Sequence, residues 1–374
     1  MHIASRKSYD AVVVGGGLIG LACAWRAAQR GLSVIVVERG EPGSGASGVA
    51  AGMLAPVTEA EFGEEPLLRL NVAGRVLWPA FAAELEERTG LPTGYRETGA
   101  LVVAADRDDA EELRRHHALQ RSLGLEAEWL PPSGCRRLEP GLSPRVGGGV
   151  LAPKDAQADP AAVVRALRAA LEDAGGKLAR TAVNGVRAEA RRVTGVDTAD
   201  GELEAEAVVL AAGAWSASLA DGPRVRPVKG QILELRARDG TPEPVGRIVR
   251  TPRCYLVPRG DGRVVLGATV EEQGFDTTVT AGGVHRLLEA AWEVVPEVGE
   301  LELVAARAGL RPGSPDNAPV IGPGEADGLF WATGHHRNGV LLTPITAAAV
   351  VAMLVGEDPP VATEGFGPAR WVTA

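Results

Sequence analysis

A short apolar, valine-rich run from Tyr9 to Val14 ends in Gly15-Gly16-Gly17, and Leu18 to Gln29 then carries the apolar spacing of a helix. Gly31 is placed to stop that helix, and Leu32 to Val37 forms a second buried-type strand closed by Glu38. A strand, glycine turn, helix and strand in this order form one βαβ unit, whose crossover makes the two strands parallel. Within it, Gly15, Gly17 and Gly20 make a GxGxxG. Gly15 permits the tight turn, Gly17 lets backbone approach a pyrophosphate, and Gly20 lets helix and strand pack closely. The helix N-terminus offers free N–H groups and partial positive charge to phosphates. Glu38 stands where a carboxylate accepts hydrogen bonds from ribose hydroxyls.

Glu38 favours an unphosphorylated ribose but does not separate NAD from FAD. The segment after it does. Gly45 to Met53 is a run of small residues that could pass beneath an isoalloxazine ring, and a late strand-to-glycine turn, Ala332-Thr333-Gly334, precedes another helix. The wider stretch Gly43 to Pro56 reads as structureless without a partner. The net charge of −9 and the lack of a basic stripe exclude a nucleic-acid partner. No apolar stretch is long enough to cross a membrane. Cys23, Cys135 and Cys254 are far apart and show no ligand spacing, so neither a metal site nor a disulfide framework is expected. Reduced thiols point to a cytoplasmic protein.

Further along, Leu67 to Thr89 reads as one or two helices and Ala110 to Leu123 as a charged one. Another helix opens at Asp159-Pro160, with Asp159 as N-cap and proline in the first turn. Strand-like pieces follow at Thr181 to Val186, Val193 to Asp197 and Ala207 to Ala212, and an antiparallel block spans Val225 to Thr269 with a tight turn at Gly260-Asp261-Gly262. Phe330 to Thr333 is a buried strand, and Thr343 is expected to cap a helix with Pro344 at its first position. Parallel elements at both ends with an antiparallel block between them predict an α/β fold in which a substrate domain is inserted into a discontinuous nucleotide domain. The expected boundaries are 1–85, 145–222 and 310–374 for the FAD-binding part, and 86–144 with 223–309 for the substrate part.

The chain resembles the D-amino acid oxidase superfamily of flavoenzymes, and within it the glycine oxidases associated with thiamine thiazole synthesis. The likeness is carried by the glycine fingerprint with Glu38, SGVAAGMLAP at Ser47 to Pro56, VVLAAGAWS at Val208 to Ser216, and PVKGQ at Pro227 to Gln231. It continues through CYLVPR at Cys254 to Arg259, GATVE at Gly267 to Glu271, GLRPGSPDNAPVIG at Gly309 to Gly322, and ATGHHRNGVLLTP at Ala332 to Pro344.

The resemblance implies a Rossmann-like parallel domain of the glutathione-reductase type, holding non-covalent FAD, and an antiparallel sheet closing the substrate pocket. It implies oxidation of glycine or another small amino acid, with molecular oxygen as acceptor and homo-oligomeric assembly left open. Arg311 matches the carboxylate-binding arginine, Tyr255 the tyrosine whose hydroxyl reaches the same carboxylate, and Met53 an apolar wall beside the ring. Arg337 reads either as a second arginine at the pocket or as a structural arginine bonding loop carbonyls. FAD contacts are implied for Gly15, Gly17, Leu18, Ile19, Gly20, Glu38, Arg39, Ser47, Ala51, Gly52 and Met53. They are implied also for Val183, Ala212, Gly213, Trp215, Arg311, Gly334, His336, Arg337, Asn338, Gly339, Val340 and Leu341.

No side chain stands out as a catalytic base, and hydride transfer from a neutral amine needs none. His335 and His336 read as backbone-contact or surface residues, and Lys229 as an exposed strand-edge lysine. Arg253 departs from the histidine of the glycine oxidase pattern, and a third cation at the pocket mouth would widen specificity towards larger or acidic amino acids. The other readings are a sarcosine or D-amino acid oxidase, a dehydrogenase of the same fold, and a flavin-binding scaffold without turnover.

Overall fold

The computed structural model describes residues 8–371. Its first large sheet has a parallel centre, in which the opening strand Ser8–Val14 lies between Val34–Glu38 and Gly201–Leu210. Lys177–Arg180 extends it in parallel on one side and Leu329–Thr333 on the other. Antiparallel strands Val320–Pro323, Arg192–Thr198 and Val183–Glu189 complete it. The central strands are buried on both faces, which is why they read as unbroken apolar runs rather than alternating ones. One face packs on the helices Leu18–Gln29, Pro160–Asp173 and Thr343–Leu354 through Leu21, Trp25, Leu167 and Val350, all fully buried.

The second sheet runs Glu302–Gly313, Arg226–Arg236, Arg263–Gly267, Tyr255–Pro258, Ile248–Arg250, Ala100–Val103, Gly149–Ala152 and Glu128–Leu130. The amphipathic helix Ala281–Val294 covers one face, burying Leu287, Ala291 and Val294. The other face turns towards the first sheet. The strand Gly149–Ala152 belongs here, pairing with Ala100–Val103, although the expected boundary at 145 put it with the nucleotide-binding part.

Local signals were followed closely where they were strong. Asp159 caps its helix, accepting hydrogen bonds from the Ala161 and Ala162 N–H groups. Glu65–Thr89 is a single helix, and Pro79 lies inside it. Two local expectations fail. Thr343 is the first helical residue rather than the cap: Leu342 occupies that place, and the Thr343 hydroxyl donates to the Gly339 carbonyl. The stretch from Gly43 to Pro56 is ordered by the protein itself. It contains a short helical turn at Ala46–Gly48, and Met53–Leu54 pairs with Ala156–Gln157. Gly52 makes this possible, because a Cβ there would lie 2.0 Å from the Ala158 carbonyl oxygen.

Candidate active site

Between the two sheets runs a cavity of about 640 Å³, of the size that holds an extended cofactor and a small ligand. Every expected cofactor and substrate contact lines it except Gly20, Gly334, Asn338 and Leu341. Those four stand behind the wall. Gly20 has no room for a Cβ, which would fall 1.9 Å from the Gly15 carbonyl oxygen, so its part is to seat the helix on the turn. Gly334 takes a positive φ in the late turn. Asn338 is buried, and the Leu341 carbonyl accepts a hydrogen bond from Trp78 Nε1 at 2.9 Å.

At the nucleotide end, Gly15 has a φ of 111°, and a Cβ on it would meet the Ala211 carbonyl oxygen at 2.4 Å. Gly17 caps the first helix with no side-chain partner of its own, and the Leu18 N–H is met by Ser47 Oγ at 3.0 Å. Glu38 accepts from the Gly16 N–H at 2.7 Å and the Gly40 N–H at 2.9 Å, which fixes its carboxylate beside the turn. The free lone pairs of that carboxylate remain for hydroxyl donors. Arg39 lies over the Trp215 ring at 3.9 Å. The glycine-walled turn at a helix N-terminus, the fixed acid and the long cavity fit the adenosine diphosphate part of FAD. His336, further along the wall, has a buried Nδ1 with no protein partner, so a polar group remains for the ring end.

The other end of the cavity, where the substrate contacts were expected, is built on the second sheet, where glycines leave bare backbone for side chains to lie on. Gly230 and Gly309 face each other across paired strands, and Ile232 and Arg311 follow two residues on, so they share that face. The Arg311 guanidinium lies on Gly230 and donates to the Lys229 and Thr269 carbonyls at 3.3 and 3.1 Å. Among the described residues it has no acidic partner. The Tyr255 ring lies over its strand neighbour Gly267 in the same way, with a Cβ position there 2.5 Å from the hydroxyl oxygen. Desolvation raises the Tyr255 phenol and the nearby Arg311 charge opposes the shift, so Tyr255 remains a hydrogen-bond donor at neutral pH. Met53 packs with Ala51, Ile232 and Tyr255 in an apolar cluster beside them.

Other cations are arranged differently from expectation. Arg337 reaches the cavity wall, but its Nη2 lies 3.6 Å from Glu61 and 3.8 Å from Glu64. Arg253 lines the cavity, but its guanidinium is bonded to Glu293 on the covering helix. The further cation is Arg250, which sequence reasoning missed. It stands opposite Tyr255 in the strand pairing, where its Nη1 donates to the Thr58 carbonyl at 2.9 Å and lies 3.3 Å from Glu59. The tight hairpin from Arg250 to Tyr255 was the available signal. Lys229 is no exposed edge lysine; it is 1% exposed and held by Asp276 at 3.0 Å and Glu271 at 3.8 Å. His335 and His336 are not surface groups either. Burial depresses His335 to about 3, and burial with Arg311, Arg337 and Arg226 nearby depresses His336 to about 4. Both are neutral at physiological pH.

Residues 10–353 match the family model described as DAO, FAD dependent oxidoreductase. The chain is 38% identical to a glycine oxidase of Geobacillus kaustophilus over 92% of its own length and 93% of the relative's. A crystal structure of glycine oxidase from Geobacillus kaustophilus superposes with a TM-score of 0.92 at 36% identity, covering 98% of this chain and all of that one. A bifunctional protein ThiO/ThiG of Trichormus variabilis is 38% identical over 92% of this chain but only 52% of its own length, so the chain spans about half of that relative. This chain belongs to the DAO family of FAD dependent oxidoreductases.

Proposed function

We propose that the protein oxidises glycine to its imine, which water hydrolyses to glyoxylate and ammonia, passing the two electrons to oxygen to form hydrogen peroxide, and that this serves thiamine thiazole synthesis. The observation that carries the substrate class is Arg311: a guanidinium in the cavity with no acidic partner among the described residues, backed by two carbonyls and a glycine. Such a group binds a carboxylate in two-pronged fashion. Tyr255 adds a hydroxyl donor to the same carboxylate, and Met53 with Ile232 walls off water beside the reacting carbon. The bound flavin supplies the acceptor for the hydride leaving the substrate Cα, and the likeness to glycine oxidases supports glycine as the substrate. Neutral His335 and His336 add no charge next to the site, which leaves Arg311 as its uncompensated cation.

The test is the visible absorption spectrum of the purified holoprotein before and after anaerobic addition of glycine. Bleaching that reverses on admitting air, with peroxide formed, is expected. A flavin band unmoved by glycine rejects this substrate and directs the search to sarcosine and D-amino acids. Bleaching by glycine that air fails to reverse identifies a dehydrogenase.

A further inference from the structure

Two arginines, Arg311 and Arg250, stand at the substrate end of the cavity with Tyr255, and only one of them carries an unbalanced charge. Arg250 is paired with Glu59, and both are largely buried, with side chains 18% and 8% exposed. Arg311, Glu59 and Arg250 all line the cavity together with Tyr255, so the three charges share one chamber. Glu59 does not reach Arg250 by chance. The preceding turn is pinned by Asp155, which accepts from the Val57 N–H at 3.2 Å, the Thr58 N–H at 3.0 Å and the Thr58 hydroxyl at 2.9 Å. Gln120 fixes the same turn by donating to the Val57 carbonyl at 2.9 Å. Arg250 donates its hydrogen bond through Nη1, and among the described residues Nε and Nη2 donate none to the protein.

We infer that Glu59 is a specificity-determining residue, which neutralises Arg250 and thereby confines the site to amines bearing a single carboxylate. The inference rests on the reading of Arg311 as the carboxylate anchor. With Glu59 paired to Arg250, Arg311 is left as the unbalanced charge of the three, and one carboxylate balances it. A second carboxylate entering near Arg250 would meet Glu59 at close range in a site poor in water, where like charges repel strongly. Without the Glu59 charge, the Nε and Nη2 donors of Arg250 would face a partner of the geometry a guanidinium chelates best.

The experiment compares wild type with Glu59→Gln, and with Glu59→Gln combined with Arg250→Met, each as holoprotein. Two ratios are read: kcat/KM for iminodiacetate over glycine, and Kd by calorimetry for malonate against acetate, neither of which is oxidised. In Glu59→Gln both ratios should move at least tenfold in favour of the dicarboxylate, and the added Arg250→Met should abolish the gain. Unchanged ratios in a folded, flavin-loaded Glu59→Gln protein overturn the inference, as does a gain that survives loss of Arg250. The malonate and acetate arm does not depend on turnover. If glycine proves not to be a substrate, the function above fails while this inference is still decided by binding.

Discussion

Gly230→Ala isolates the most consequential contact at the substrate end without touching a polar group. Gly230 sits in an extended, paired strand and has no left-handed φ, so alanine costs the backbone nothing and stability should change by less than about 1 kcal/mol. Its Cβ would fall 2.4 Å from Arg311 Nη1, 2.5 Å from Nη2 and 2.6 Å from Cζ. Ordinary contacts are about 3.5 Å, so the guanidinium must lift by about 1 Å. It then leaves the Lys229 and Thr269 carbonyls that aim it. Loss of a well-aimed, charge-assisted contact to the substrate carboxylate costs about 1.5–3 kcal/mol, or roughly 10- to 150-fold in KM for glycine. The assay is the glycine dependence of peroxide formation, with flavin content and unfolding midpoint measured on the same preparation. Flavin loading should match wild type, since Gly230 lies on the second sheet rather than at the glycine turn. A wild-type KM in Gly230→Ala would refute the placement of Arg311 as the carboxylate anchor.

Arg311→Lys should raise KM for glycine about 10- to 100-fold while leaving flavin bound, because an ammonium lacks the planar fork; an unchanged KM in steady-state assays counts against the anchor. Gly20→Ala should weaken FAD at least tenfold, read as the ratio of visible to ultraviolet absorbance after gel filtration, because its Cβ collides with the Gly15 carbonyl. Stability should fall on acidification. His335 and His336 have folded values of about 3 and 4, below the unfolded 6.5, so the stabilisation of their neutral forms is complete above pH 6.5 and is lost as pH falls towards 4 and 3. Burial raises Asp155 from 3.8 to about 6, so its neutral form favours the fold below 3.8 and that contribution is lost as pH rises to 6. Between pH 6 and 4 the two histidines cost about 2.7 kcal/mol per pH unit on acidification and Asp155 returns about 1.4, a net loss of about 1.4. Urea unfolding across that window should show the slope, and stability that is flat or rises towards pH 4 contradicts it.

The nucleotide end of the site was legible in sequence because its determinants are local. Gly15, Gly17, Gly20 and Glu38 fall within one βαβ unit, where spacing alone fixes geometry. The substrate end depends on strand pairings between distant segments, which spacing does not reveal. Arg253 immediately precedes the CYLVPR motif, two residues before Tyr255, yet the turn aims it at Glu293. Arg250, outside the motif, is brought beside Tyr255 by the pairing of two strands. Lys229 was misread for a related reason. Its strand is interior to the second sheet, and the segment carrying Glu271 and Asp276 folds back over it, burying an ammonium whose partners lie more than forty residues away in sequence. The Gly43 to Pro56 stretch has little side-chain volume and no periodicity, so its order comes from pairing with Ala156–Gln157 rather than from propensity.

Gly230, Gly267 and Gly309 lie in neighbouring strands of one sheet, although glycine weakens strand interiors and packs nothing itself. Each gives its volume to a different side chain: Gly230 to Arg311, Gly267 to Tyr255 and Gly309 to Val49 of the small-residue segment. A sheet face filled by ordinary inward-facing side chains would hold these groups away from the backbone and swing them into the cavity. With glycines beneath them, a guanidinium and a phenol lie flat on the sheet, their polar ends fixed and the space above them open for a ligand. The loss of strand propensity is therefore local to the place where the ligand must approach the backbone. The apolar cost is borne on the opposite face, where Leu233, Leu235, Leu256 and Leu266 pack fully buried against the covering helix. The sheet thus differs by face, with apolar packing on the helix side and glycine-backed polar groups on the cavity side. Adding a Cβ at Gly230 or Gly267 should accordingly shift substrate affinity far more than folding stability.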